Sequence, residues 1–527
     1  HDKGASPLHK RRMSLARSTL VVGFATALSR VLGFARDMLI ARALGAGAVA
    51  DAFFIAFRLP NLARRTLSEG ALNAGFVPLY LRLKNDAGTS AASRFAADAL
   101  SGFAMLLFVV VGAVEIAAGA VVLLVAGGYA GEPHTLSLAT IYTRLAFPFV
   151  WGISLASLIG AILNAERRFG AAAFAPVAVN VVLIATMLLL AATPAMPQET
   201  QARWFAFAVA VSGLVHLAIV AIALLRTPLR LALAWPRLTP ELRRLLVMSA
   251  PAMLASGAAQ FIILAATAVA SYTPSAVSWL YYAERVFQLP LGFVGSAVGL
   301  VLLSDLADRL AAGDHDGLIA AHNRALEAAL LMAMPAAVAL LLLAEPIAQV
   351  LFERGAFGPH DTAGTAGALL GLAAGLPLAV AGKVLLQPLF ARQEFRAALL
   401  AGVLGLAVTV AAGSLLAGGL GALGIGLGAA LGFTAHAGAV LLALRARGLW
   451  RPDARLFARL IRGAAASLLM AAALFAARQT LPHLGGGALR VPLLAALCLG
   501  GFAIYAAAAL ALRAVTPGDL RGLGLRA

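Results

Sequence analysis

The chain has little charge and almost no cysteine. Of its 527 residues only 12% are Asp, Glu, Lys or Arg, whereas a typical soluble domain has about 25%, so a soluble globular fold is excluded. The single cysteine, Cys498, has no partner for a disulfide bond within the chain. The sequence also has no GxxxxGK[ST] loop, no nucleophile elbow and no histidines at metal-ligand spacing. We therefore expect no covalent chemistry, no cofactor and no metal.

Apolar sequence, by contrast, is abundant. Hydrophobic residues make up 61% of the chain, and a membrane-spanning helix needs about 20 largely apolar residues. Fourteen stretches meet this requirement, so the sequence predicts an all-α polytopic membrane protein. Their approximate limits are 14–44, 50–84, 94–126, 135–164, 171–193, 202–226, 242–270, 275–309, 318–344, 362–390, 396–417, 420–445, 456–480 and 489–513.

The basic residues are concentrated in alternate loops. Lys and Arg number 41 against 23 Asp and Glu, which gives a net charge of +18. The basic loops are 82–94, 164–170, 226–244, 391–396 and 445–462. Positive loops face the cytoplasm and anionic lipid headgroups, so both termini are expected on that side. Membrane lipids therefore account for the positive charge, and no nucleic-acid partner is expected.

Two short patterns recur at similar spacing. FRLP at 57–60 resembles FQLP at 287–290, and AERRF at 165–169 resembles ARQEF at 391–395. The spacing indicates two six-helix lobes related by a pseudo-twofold axis along the membrane normal, because each contains an even number of helices. Such repeats commonly enclose a substrate site near the membrane midplane.

These patterns predict three membrane regions: an N-terminal lobe at 13–226, a C-terminal lobe at 227–445, and two additional helices within 446–527. Residues 1–12, HDKGASPLHKRR, do not begin with Met and are interpreted as a remnant that precedes Met13. A signal peptide ending at 25–27 is the competing interpretation. The apolar pattern continues beyond Ala27, as expected for a membrane helix.

Several charged residues lie inside the predicted membrane helices. A central Arg costs about 2.5–3.5 kcal/mol on insertion scales, so such residues face a protein interior or a watery cavity. The candidates in the first two helices are Arg30, Arg36, Asp37, Asp51, Arg58, Arg64 and Arg65, and those in the second lobe are Glu284, Arg285 and Lys383.

Two explanations of these charges remain open. They form internal salt bridges, with Arg30–Asp37, Asp51–Arg58 and Glu284–Arg285 as the candidate pairs, or they bind an anionic ligand. Arg36, Arg64, Arg65 and Lys383 have no obvious local acid, and guanidinium groups match phosphate oxygens with paired donors. The principal candidates for an anion site are Arg30, Arg36, Arg64 and Arg285.

Five longer motifs resemble one known family. They are SRVLGFARD (29–37), DAFFIAFRLPNLARR (51–65), EGALNAGFVPL (69–79), LASLIGAILNAERRF (155–169) and SWLYYAERVFQLP (278–290). Together they resemble the MurJ/MviN lipid II flippases of the multidrug/oligosaccharidyl-lipid/polysaccharide exporter superfamily. The resemblance implies a non-enzymatic transporter of the bacterial inner membrane that serves peptidoglycan synthesis and cell shape.

The resemblance also assigns roles. The family's cavity arginines fall on Arg30, Arg36, Arg64 and Arg285, and their acidic partners fall on Asp37, Asp51 and Glu284. It implies lipid II as the substrate, a gating role for Glu69, and a lipid-tail groove formed by the last two helices. It also allows cell-wall synthesis proteins as partners. Gln288 replaces an acid common in the family, and the helix at 242–270 lacks the acid that a family-type sodium site would need.

Two other functions remain as alternatives. A cation-coupled multidrug exporter of the same superfamily would need an acidic and aromatic cavity, whereas these helices are rich in arginine. A non-transporting scaffold for cell-wall synthesis proteins would depend on the cytoplasmic loops and not on the arginines.

Overall fold

The computed structural model describes residues 7–68, 71–193, 196–229, 257–480, 489–516 and 518–519, together with residues 231, 235 and 243. The regular elements in these ranges are helices, which confirms the predicted all-α class. They are α1 Pro7–Leu44, α2 Ala48–Ser68, α3 Ala71–Ile116, α4 Ala118–Val125, α5 Pro133–Ala146, α6 Phe149–Ala165, α7 Phe169–Ala191, α8 Gln198–Leu225, α9 Ala258–Ala270, α10 Ala276–Ala311, α11 His315–Phe352, α12 Pro359–Ala374, α13 Leu376–Leu385, α14 Gln387–Ala391, α15 Phe395–Leu420, α16 Ala422–Ala446, α17 Ala454–Thr480 and α18 Arg490–Ala511.

Nine stretches of the described chain are long and apolar enough to cross a membrane. A tenth is formed by α12 together with the following segment Leu376–Ala391, which is bent from α12 by 45°. The predicted total of fourteen spans stays a prediction.

The helix limits predicted in the first third of the chain differ from those in the structure. The predicted helix 50–84 falls on α2 as far as Ser68 and on α3 from Ala71, and residues 69–70 lie outside the described residues. The predicted loop 82–94 is helical within α3, apart from Gly88 at φ 83°. Charged residues end an apolar run without ending a helix, and glycine alone supplies the conformation that interrupts this one. Of the predicted helix 242–270, residues 243 and 257–270 are described, and α9 forms 258–270.

The chain divides into two compact units. Unit 1 comprises residues 1–124 and 129–254, and unit 2 comprises 125–128 and 255–527. Within unit 1, α6 is the central helix, because 13 of its 17 residues are buried. It packs against α2, α3, α7 and α8. The limits predicted at 226 and 445 stay predictions.

Unit 2 is held together by close helix contacts at glycine. α16 packs against α12 on one side and α15 on the other. A Cβ atom at Gly426 would lie 2.5 Å from the Ala368 carbonyl oxygen of α12, and one at Gly428 would lie 2.5 Å from the Cα of Gly413 on α15. Small residues let helices approach this closely in a membrane, where the hydrophobic effect contributes little.

The predicted repeat is visible in local geometry within each unit. α5 and α12 begin at Pro133 and Pro359, which are 226 residues apart, and each proline is followed by histidine. Arg167 and Gln393 are also 226 residues apart and adopt left-handed conformations, at φ 59° and 58°. In both places the N–H of the following residue, Arg168 or Glu394, donates to the carbonyl five residues before it, at 2.8 Å. This pattern is a Schellman-type helix end.

A charge network joins α11, α17 and the segment after α18. Glu327 is 4% exposed and accepts a hydrogen bond from Arg459. Arg459 also donates to Asp519, at 2.9 Å, and Arg455 reaches both carboxylates within 3.5 Å. Partial burial opposes ionisation of Asp519, but hydrogen bonds from Thr516 and the Arg459 guanidinium lower the pKa of its carboxyl below the usual value. The segment after α18 is thereby fixed to α17.

Candidate functional site

The candidate residues of unit 1 lie on α1 and α2. Arg30 is exposed, Arg36 and Asp37 are buried, and Asp51 on α2 is 3% exposed. Two further arginines on α2, Arg58 and Arg64, are half-buried. Among the side chains that the structure describes, these two helices therefore carry four candidate guanidinium groups against two candidate carboxylates.

Arg36 has a defined set of contacts inside unit 1. Its Nε and Nη2 donate to Asp37 Oδ1 at 3.0 and 2.8 Å, and Nη1 donates to Asn180 Oδ1 at 3.0 Å. Its Cζ lies 5.1 Å from the centre of the Phe57 ring. The prediction that Arg36 has no local acid is therefore wrong, because its neighbour in sequence is its partner.

These contacts leave donors available. A guanidinium group carries five N–H bonds, and the contacts of Arg36 within the described residues use three of them. The carboxylate and the amide fix the plane of the group, while Phe57 covers its face. Arg36 is thus a preoriented cation, and its two remaining N–H donors on Nη1 and Nη2 suit an oxyanion.

Asn180 is the residue that the sequence analysis missed. It lies on α7, is 6% exposed, and donates from Nδ2 to the backbone and side-chain oxygens of Ser29. Asn180 therefore ties α7 to α1 at two positions, Ser29 and Arg36. One signal was present in the sequence, because Asn180 is a side-chain amide inside an otherwise apolar membrane helix.

The candidates of unit 2 lie on α10 and α13. Arg285 donates from Nη2 to the Tyr281 hydroxyl at 2.7 Å, and its Cζ stacks 4.6 Å from the centre of that ring. Glu284 is 8% exposed and accepts a hydrogen bond from the Gln288 amide. Gln288, which stands where the family commonly has an acid, thus donates a hydrogen bond to the acid that is present, Glu284. Tyr281 is a second contact that the sequence analysis missed.

Three candidate residues remain, and they are Lys383, Glu69 and Arg65. Lys383 is half-buried on α13 of unit 2. Glu69, the predicted gating residue, lies outside the described residues, and of Arg65 only the backbone is described. The structure brings Arg36 and Asp37 together in unit 1, and Glu284 and Arg285 occur on one helix of unit 2. In the described parts of the chain, no three His, Cys, Asp or Glu side chains form a group that could hold a metal ion.

The chain is similar to known proteins over most of its length. A family model described as "Lipid II flippase MurJ" matches residues 40–487. The "Probable lipid II flippase MurJ" of Rhizobium meliloti (strain 1021) is 41% identical over 350 residues, which cover 66% of this chain and 65% of that protein. The same-named protein of Rhizobium tropici is 39% identical over 346 residues, with the same 65% of its length matched.

Two solved structures show the fold. "Lipid II flippase MurJ, inward closed conformation" aligns with 96% of this chain and 99% of its own, at a TM-score of 0.75 and 20% identity. An inward-facing multidrug resistance MATE family transporter of the MOP superfamily covers 80% of this chain and 94% of its own, at a TM-score of 0.66 and 16% identity. With the family model spanning most of the sequence, the chain belongs to the lipid II flippase MurJ family.

Proposed function

We propose that the chain moves lipid II, the undecaprenyl-diphosphate-linked peptidoglycan precursor, from the cytoplasmic to the periplasmic leaflet of a bacterial inner membrane. The names of the matched relatives support this substrate. The observation that carries the proposal is Arg36, a buried guanidinium group on a membrane helix with two donors left for an oxyanion. A diphosphate is an oxyanion of this kind.

The charge balance favours an anionic substrate in both units. Unit 1 offers Arg30, Arg36, Arg58 and Arg64 as candidate cations, and unit 2 offers Arg285 and Lys383. In each unit these outnumber the candidate acids Asp37, Asp51 and Glu284. A multidrug exporter of organic cations would need the opposite balance.

In this proposal the protein works by alternating access. Lipid II enters from the cytoplasmic leaflet, its diphosphate binds the arginines, and the cavity then opens to the other side. A charged cavity that moves through the membrane field gains or loses about 2.3 kcal/mol per charge per 100 mV. In this proposal the membrane potential therefore biases the cycle.

The last two helices would hold the polyprenyl tail. α17 and α18 pack against each other and against α11. They also expose large apolar side chains, at Leu468, Leu469, Leu499 and Phe502. Such a surface suits an acyl or prenyl chain.

In this proposal both termini lie on the cytoplasmic side of the membrane. Cell-wall synthesis proteins are the candidate protein partners.

A reconstitution experiment tests the proposed function. The purified chain is placed in vesicles that contain lipid II with a fluorescent group on its stem peptide, and a membrane-impermeant quencher reports the exposed fraction. We expect vesicles with the protein to exchange lipid II between leaflets faster than protein-free vesicles. A lipophilic cationic dye serves as the competing substrate. Transport of the dye without lipid II exchange would reject the proposal in favour of an exporter.

Asn180→Leu is expected to lower lipid II exchange about ten-fold. The substitution removes the acceptor for Arg36 Nη1 and the donor to Ser29, and a hydrogen bond to a charged group contributes about 1.5–3 kcal/mol. The measurement is the same vesicle assay. Thr186→Val on the same helix is the matched control, since the Thr186 hydroxyl donates only to its own helix at Val182. Equal rates for both variants would show that Asn180 does not position Arg36.

A further inference from the structure

A helix break lies directly after Lys383. α13 ends at Leu385 and α14 begins at Gln387. In a continuous α-helix, the N–H of residue 388 would bond to the carbonyl of Val384, but residue 388 is proline and has no N–H. The break therefore leaves the Val384 carbonyl without its helical donor.

A histidine from another helix supplies the missing donor. His322 on α11 is 0% exposed, and its Nε2 lies 3.1 Å from the Val384 carbonyl oxygen. A carbonyl oxygen only accepts, so Nε2 must carry the hydrogen. His322 is thus held as the Nε2–H tautomer, and its ring joins α11 to the break.

The two residues before Val384 are also held by side chains. Gln387 donates from Nε2 to the Lys383 carbonyl at 3.1 Å. On α16 the ring of His436 lies against Gly382, where an added Cβ would come within 3.2 Å of the ring carbon Cδ2. The backbone on each side of Lys383 therefore lies next to a histidine from a different helix of unit 2, and on the Val384 side it is hydrogen-bonded to that histidine.

We propose that His322 is a positioning residue for Lys383. Its hydrogen bond to Val384 replaces the helical bond that Pro388 removes, and it sets the direction in which α13 presents the lysine. The role in transport rests on the proposed function, in which Lys383 belongs to the substrate site. The geometric part does not, because it concerns only how α11 contacts the helix break between α13 and α14.

Two substitutions separate hydrogen bonding from space filling. His322→Leu fills similar space without a donor, whereas His322→Gln keeps an N–H donor. His315→Leu is the matched control, because His315 is exposed on the first turn of the same helix. For the lipid II assay, each of these three substitutions is made in the otherwise native chain. Each is also combined with Cys498→Ser and Lys383→Cys, so that position 383 carries the sole thiol for labelling with a membrane-permeant maleimide.

His322→Leu should change the labelling rate at position 383 at least three-fold and lower lipid II exchange about ten-fold. His322→Gln and His315→Leu should stay within two-fold of their parents in both measurements. Equal effects of Leu and Gln at position 322, or parental behaviour of His322→Leu, would overturn the proposal. The labelling does not involve lipid II, so a failure of the proposed substrate leaves this measurement valid.

A second variant covers the case in which His322→Leu folds poorly. Adding Pro388→Ala restores a backbone N–H for the Val384 carbonyl, and we expect this double variant to recover the yield of folded protein. Its labelling rate at position 383 should still differ from that of the parent, because the break itself is altered. Parental labelling and exchange in the folded double variant would refute a positioning role for His322.

Discussion

Arg36→Ala is expected to abolish measurable lipid II exchange in the vesicle assay. The substitution removes two unused donors that suit a phosphate, and each charge-assisted hydrogen bond is worth about 1.5–3 kcal/mol. Two such bonds correspond to a loss of about a hundred-fold or more. Arg42→Ala is the matched control, because Arg42 is an exposed arginine on the same helix. We expect it to keep the parental rate.

Folding must be separated from binding in this experiment. Arg36→Ala removes a guanidinium group that binds the buried Asp37 carboxylate, which is itself destabilising. The double variant Arg36→Ala/Asp37→Ala removes both charges, and Arg36→Lys keeps the charge without the planar fork. We expect all three to lose exchange, and the double variant to be more thermally stable in detergent than Arg36→Ala. Normal exchange by a folded double variant would show that the diphosphate binds elsewhere.

Gly426→Ala is expected to destabilise unit 2 strongly. The new Cβ would lie 2.5 Å from the Ala368 carbonyl oxygen and 2.9 Å from the Cα of Gly371. These neighbours belong to the backbone of α12, so no side chain can rotate to make room. Overpacking costs about 1–3 kcal/mol even where side chains adjust. The yield of folded protein and its unfolding temperature in detergent should therefore both fall.

Gly438→Ala on the same helix is the control for this result. Within 4 Å, nothing beyond its own helix would meet a Cβ at Gly438, and alanine is favoured over glycine in a helix by about 1 kcal/mol. We expect stability equal to or above that of the parent. If both alanine variants behaved alike, the close contact between α16 and α12 would not be a source of stability.

The sequence predicted the class of fold because hydrophobic length is a local property. Runs of apolar residues marked the helices, and FRLP and FQLP marked two helices that each contain an internal proline, Pro60 and Pro290. Helix ends were harder to place. The run of charges at 82–94 looked like a loop, but a helix can leave the membrane without stopping, and the interruption occurs only at Gly88.

The candidate site was predicted only in part, because partners depend on tertiary structure. Arg36 was identified from its cost in a membrane, yet its pairing with Asp37 was overlooked, since adjacent side chains on a helix do not ordinarily face each other. Asn180 lies 144 residues further along the chain, and Tyr281 was a single aromatic among many. Such contacts become visible only when the helices are packed.

The charge network at the end of α17 bears on how variants of this protein should be built. Asp519 binds Arg455 and Arg459 from beyond α18. A truncation or reporter fusion placed before Asp519 would remove that carboxylate and leave Glu327 to balance both arginines. Affinity tags and fluorescent proteins should accordingly be attached after this residue, or at the opposite terminus.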